Sequence, residues 1–156
     1  MERVSPSSDV VSSIENTLVK IEEQQEHDKE KVSKSMSRLE EHGGIELYLG
    51  DHFEIKKRGG EQLVGSPGSA RMMIVGKMKP SLNGDMYIVG RDIDDARQLV
   101  YYKVDGGNVT KRDCGQKADV SVSRFNLAII PGDDRVEIFN IGKNETDLYF
   151  EGEVKF

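Results

Sequence analysis

The chain has 156 residues, a formal charge of −6, 36% hydrophobic and 32% charged residues, and one cysteine. Such a length fits one ordinary domain with an appendage, and the acidic balance excludes a wholly basic body that coats nucleic acid or anionic membrane. A lone Cys114 excludes an intrachain disulfide.

The first residues, Met1-Glu2-Arg3-Val4-Ser5-Pro6, lack the apolar core of a signal peptide. No run approaches the ~20 apolar residues of a membrane-spanning helix. A cytoplasmic or virion-associated protein is expected, with no membrane span. Two sequons, at Asn108 and Asn144, read as turn residues.

All sixteen glycines lie at or beyond Gly43, and all ten Phe and Tyr residues lie at or beyond Tyr48. This asymmetry divides the chain into a flexible start (1–8), one long helix (9–42), a Gly-Gly hinge (43–44) and an all-β domain (45–156). Pro6 bars a helix from extending upstream, and Asp9 or a neighbouring serine can cap its first amides. His42-Gly43-Gly44 reads as its stop. At 1.5 Å per residue, roughly 32 residues would span about 48 Å.

The apolar positions of this helix form a narrow seam. Val11, Ile14, Leu18 and Ile21 follow an a/d spacing, Gln25 and Asp28 interrupt it, and Val32, Met36 and Leu39 resume it. One apolar residue per step suits a partner helix better than the flat face of a sheet. The seam therefore predicts a homo-oligomeric coiled coil, trimer or dimer, with the interruption as a register shift or a polar layer. Docking of the helix on its own β domain, and a partner-dependent tail, are the alternatives.

Beyond the glycines the period changes to two. Strands are predicted over 45–49, 53–57, 70–77, 86–91, 98–104, 108–111, 118–123, 126–130, 135–141, 147–152 and 154–156. Asn83-Gly84 and Asp105-Gly106-Gly107-Asn108 are the strongest hairpin signals. Val136, Ile138 and Asn140 alternate with Glu137, Phe139 and Ile141, which marks a strand apolar on both faces and hence central. The fold class expected is mainly β: an antiparallel sandwich or barrel of roughly eight to eleven short strands behind one helix. A coil followed by a compact β head resembles, in layout alone, the trimeric attachment and tail proteins of viruses and phages.

No catalytic or cofactor motif stands out, so no enzyme activity, cofactor or metal is expected. Asp92, Asp94 and Asp95 cluster without the spacing of a calcium loop and read as a solvated turn, as do Asp133 and Asp134. His42, Asp51 and His52 lack a ligand spacing for zinc. Gly65-Ser66-Pro67-Gly68-Ser69-Ala70-Arg71 lacks the Lys-Ser/Thr ending of a phosphate loop. Cys114 has cations nearby but no visible base.

A binding patch is expected from Lys56, Lys57, Arg58 and Arg71 with Tyr101 or Tyr102, on head loops rather than on the helix. Lysines that merely protect an edge strand would give the same pattern. The expected function is a non-enzymatic oligomeric interaction protein with a protein or glycan target on its β head, and nucleic acid is not an expected partner. A β-barrel module binding a small ligand or glycan is the alternative. A hydrolase built from scattered carboxylates is the third reading.

Overall fold

A computed structural model describes residues 2–25, 30–48, 69–71, 84–92, 94–95, 97–118, 122–132, 135–149 and 153–155. In chain order the elements are β1 (Glu2–Val4), α1 (Ser8–Gln25), α2 (Glu30–His42), β2 (Gly44–Tyr48), β3 (Ser69–Arg71), β4 (Met86–Arg91), β5 (Gln98–Asp105), β6 (Asn108–Lys117), β7 (Leu127–Pro131), β8 (Arg135–Asn140), β9 (Glu145–Tyr149) and β10 (Glu153–Lys155). Seven strands form one antiparallel sheet in the order β1-β2-β8-β7-β4-β5-β6. A second sheet has the order β10-β9-β3, with β3 parallel to β9. The seven-stranded sheet is open, with β1 and β6 at its edges among the described residues. An antiparallel β architecture is thus present.

The single long helix and its coiled coil are not. Val4 and Gly44 are paired neighbours on β1 and β2. Paired antiparallel residues lie about 5 Å apart. A straight helix between them would carry the chain roughly 48 Å away, so it must double back. α1 and α2 do so and pack against each other. α1 ends at Gln25, where the apolar seam stops.

Local chemistry sets the helix ends. The Val10 amide donates to Ser7 Oγ at 3.2 Å, so Ser7 is the N-cap of α1. Asp9 sits in the first turn, at the positive end of the helix dipole. α2 stops at the glycine pair: Gly43 takes φ +64°, and its amide donates to the Leu39 carbonyl at 3.0 Å. The start of the chain, expected to be flexible, includes strand β1.

The strand register explains what covers the seam. Val4, Gly44, Phe139, Ala128, Ile88 and Tyr102 lie in one row across β1, β2, β8, β7, β4 and β5. They share one face of the sheet. On that face Met86, Ile88, Val100, Tyr102, Ala128 and Phe139 form one cluster with Ile14, Leu18, Ile21, Val32 and Leu39. Val11 and Met36 pack at its margin. Ile14, Leu18, Ile21 and Leu39 are fully buried within the single chain. Most of the residues proposed to join subunits are therefore core residues, and each of the four fully buried ones contributes about 1.5–3 kcal/mol of burial. The narrow seam is enough for a sheet because two helices lie side by side and their stripes add.

The other face is buried as well, through Ile45, Tyr87, Val89, Leu127, Ile129, Val136 and Ile138. β8, apolar on both faces, lies between β2 and β7 as its alternation predicts. The β5–β6 hairpin turns on Gly106 (φ +57°) and Gly107 (φ +84°), the positive pair that a two-residue turn requires. Lys20 of α1 donates to the Gly107 carbonyl and ties the helix to that turn. Gly44 has a steric role in the sheet. A Cβ there would run into the Phe139 ring and lie 2.7 Å from the Ile138 carbonyl oxygen. The strand predicted over 118–123 is not formed at Val122 and Ser123, which belong to a loop.

Candidate functional site

A recess of about 260 Å³ opens between α2 and two loops at one end of the sheet. α2 supplies Lys31, Lys34, Ser35 and Arg38. The loop side supplies Arg91 from the end of β4, Ser123, Arg124 and Phe125 from the loop before β7, and Lys143 and Asn144 from the loop after β8. Six of these side chains are cationic, and none of the described lining residues is acidic.

Helical spacing places the first group. Positions 31, 34, 35 and 38 follow i, i+3, i+4 and i+7 and form one flank. Val32 and Leu39 are buried beside that flank, so docking of α2 on the sheet aims the cations into the recess. Burial lowers the Arg38 pKa from its ordinary value, and Glu41 opposes the shift. The guanidinium remains charged throughout the physiological range.

The loop side is held by buried polar groups. Asn126 and Asn140 are both fully buried. Asn126 Oδ1 accepts from the Ser123 amide at 3.0 Å, and its own amide donates to the Val89 carbonyl at 2.9 Å. Asn140 Oδ1 accepts from the Gly142 amide at 2.9 Å, and Nδ2 donates to the Asn144 carbonyl at 3.1 Å. The Lys143 amide donates to Ser123 Oγ at 2.8 Å, which joins the two loops. Arg91 Nε donates to the Val122 carbonyl at 2.9 Å, and the Arg91 amide to the Ser123 carbonyl at 3.1 Å. Gly90 lets the first loop lie directly on β4. A Cβ there would overlap the Arg124 carbonyl oxygen and lie 2.7 Å from that of Ser123. The backbone carrying Arg124 and Lys143 is therefore fixed by bonds made entirely within the protein.

Permanently charged donors on a preorganised frame can hold an anion by charge-assisted hydrogen bonds. A second recess, about 380 Å³, lies between α1 and the sheet beside Asp9, Ser13, Thr17 and Asp85. Two of its polar side chains serve the fold: Thr17 Oγ1 donates to the Ser13 carbonyl at 2.8 Å, and Asp85 Oδ2 accepts from the Gly106 amide at 2.9 Å.

The candidate binding residues of the sequence are not among the described lining of this recess. Lys56, Lys57 and Arg58 lie outside the described residues, as do Asp51, His52, Asp133 and Asp134. Arg71 is described only as backbone of β3, and Cys114 only as backbone of β6. Tyr102 is 3% exposed and belongs to the core, which removes it as a contact residue. Tyr101 is half-buried on the opposite face, its ring centroid 6.1 Å from that of Tyr87.

Asp92 is not a solvated turn residue. It is 7% exposed, and its Oδ1 accepts from Lys111 Nζ at 2.6 Å and from the Asp94 amide at 3.1 Å. Burial acts to raise its pKa, but Lys111 and the Asp94 and Asp95 amides outweigh this, leaving the carboxyl below its ordinary value. For Lys111, burial acts downward, but Asp92, Tyr102 and Asp94 together outweigh it, so its pKa is raised.

The cleft itself was missed. Lys31, Lys34 and Arg38 make a visible helical pattern, but Arg91, Arg124 and Lys143 are isolated basic residues in the sequence. Among the described residues no helix is long and apolar enough to cross a membrane, and no three His, Cys, Asp or Glu side chains gather as a metal site. Compared with family models, curated proteins and solved structures, the chain matches none.

Proposed function

We propose that this protein is a non-enzymatic binding module whose cleft takes an anionic ligand. The observation that carries the reading is the convergence of Lys31, Lys34, Arg38, Arg91, Arg124 and Lys143 on one recess with no acidic residue among its described lining. Ammonium and guanidinium groups keep their protons at neutral pH, so the set suits holding charge rather than moving protons. The frame behind it supports the same reading, because buried asparagines fix the loop backbone before any ligand arrives. The interaction-protein expectation is retained in this form. The stalk is not, since its seam is buried beneath the sheet.

Thermal melts of the full chain with a panel of anions test the proposal: orthophosphate, tripolyphosphate, citrate and a short single-stranded oligonucleotide. At least one anion should raise the Tm of the wild type, because a ligand that binds only the folded state stabilises it. The Arg38→Gln/Arg124→Gln variant should lose the rise, and added salt should weaken it. If no anion shifts the wild type, or the variant responds equally, the cleft is not a binding site.

A further inference from the structure

We infer that the cleft takes one phosphate group, free or as the head of an ester, in preference to carboxylate ligands; this rests on the anion-site reading above. Three features lead there: which cations face the recess, how enclosed they are, and the two walls they come from.

Lys31 and Arg91 have partners within the protein, and Arg91 Nε is taken by the Val122 carbonyl. The set left to meet a ligand is Lys34 and Arg38 from α2, with Arg124 and Lys143 from the loops. Each wall thus contributes one guanidinium and one ammonium. The two arginines are half-buried, whereas the two lysines are exposed. The forked donors are therefore the more enclosed ones, with the ammonium groups nearer solvent. Burial already lowers the Arg38 pKa, a sign of partial desolvation. In such surroundings a charge-assisted hydrogen bond is stronger than in water.

Ser123 adds a neutral donor to the recess. Its Oγ accepts from the Lys143 amide at 2.8 Å, so its hydroxyl proton is directed elsewhere.

Donors on two walls select the shape of the anion. A carboxylate holds its two oxygens in one plane and pairs edge-on with one guanidinium. The fork on the other wall then lacks an acceptor. A dicarboxylate reaches both walls only by freezing the torsions of its linker, which costs affinity. A phosphate group has three acceptor oxygens around one centre and carries about −1.5 to −2 at neutral pH. It meets both forks and the hydroxyl with no internal rotation to freeze. At about 260 Å³ the recess is smaller than the roughly 300–1,000 Å³ of sites that enclose a drug-sized ligand. Anything esterified to the phosphate lies outside it.

Calorimetric titrations of the full chain at about pH 7.5, above the second phosphate pKa of about 6, compare orthophosphate, phenyl phosphate, malonate and acetate. The tighter of the two phosphates should bind at least about ten-fold more tightly than malonate, and acetate should be weakest. Phenyl phosphate binding as tightly as orthophosphate, or more so, assigns an ester head; orthophosphate binding more tightly assigns the free anion. Arg38→Lys and Arg124→Lys keep the charge but remove the fork, and each should weaken phosphate at least about five-fold. Lys34→Arg, at an exposed position, should stay within about two-fold of the wild type. Thermal melts without ligand check that the arginine variants fold; if one does not, the phosphate–malonate comparison on the wild type decides alone.

Malonate binding as tightly as the tighter phosphate overturns the inference, as do Arg38→Lys and Arg124→Lys that both bind phosphate like the wild type. In either case a loss of binding in Lys34→Gln and Lys143→Gln would leave the anion-site reading standing. Absence of binding by all four probes also overturns it, and the thermal-melt panel above then decides whether the cleft holds another anion.

Discussion

The two walls of the cleft carry the same charge on different supports. α2 holds Lys31, Lys34 and Arg38 on an apolar base: Val32 and Leu39 dock it on the sheet cluster that contains Ile14, Leu18 and Ile21. The loop wall holds Arg91, Arg124 and Lys143 through Asn126, Asn140 and a close approach at Gly90. Apolar docking is non-directional, so the helix position depends on the sum of many contacts. Hydrogen-bonded loops depend on a few directed contacts, each costly to leave unmade when buried. Damage to the first support should spread through the molecule, whereas damage to the second should stay local.

The sharpest way to break this comparison is Leu18→Asp. A carboxylate at a fully buried position costs several kcal/mol, comparable with the whole stability of a domain of this size. The expected result is loss of helical and sheet signal together in the far-UV spectrum, because one cluster joins the helices to the sheet. Retention of the sheet with only the helices lost would show instead that the seam is dispensable for the β fold.

Gly90→Ala tests the other wall. The new methyl would overlap the Arg124 carbonyl, and backbone on both sides limits relaxation. A cost of about 1–3 kcal/mol is expected, with the fold retained. Anion binding should weaken, since Arg124 moves with its backbone. Unchanged stability in a chemical denaturation series would mean that the loop does not lie on β4 as described.

The smallest effect concerns a pair remote from both walls. Asp92 has a folded pKa below its unfolded value, so its contribution is present above the unfolded value and is lost as pH falls through the folded one. The window lies below about pH 4. Lys111, with a raised pKa, contributes fully below its unfolded value near 10.4 and loses that contribution only in more alkaline solution. Asp92→Asn should therefore lower stability at pH 7 by about 1 kcal/mol and flatten the acid limb of a stability–pH profile. A wild-type and variant that lose stability in parallel between pH 5 and pH 3 would contradict this assignment.

Much of the strand layout was legible. β4 (Met86–Arg91) has the bounds that its apolar run predicts, and β5, β7 and β8 differ by a residue or so at their ends. Positive φ at Gly43, Gly106 and Gly107 follows from a requirement that glycine meets at little cost. β1 escaped notice because three residues carry too little periodicity to register. The helical segment was read as one rod because Gln25 and Asp28 interrupt a heptad pattern as plausibly at a polar layer as at a turn between helices.

By itself, the sequence determined where β4, β5, β7 and β8 and the Gly106-Gly107 turn fall, and which residues of the helical segment are apolar. Those properties depend on neighbours a few positions apart, through backbone sterics and side-chain alternation. Tertiary structure alone decided what those apolar residues meet. Pairing of Val4 with Gly44 forces the helices to double back onto the sheet, and no local pattern records that pairing. The cleft follows from the same event. Lys31 and Lys143 share a recess only because α2, docked by its apolar flank, lies over loops that buried asparagines have already shaped.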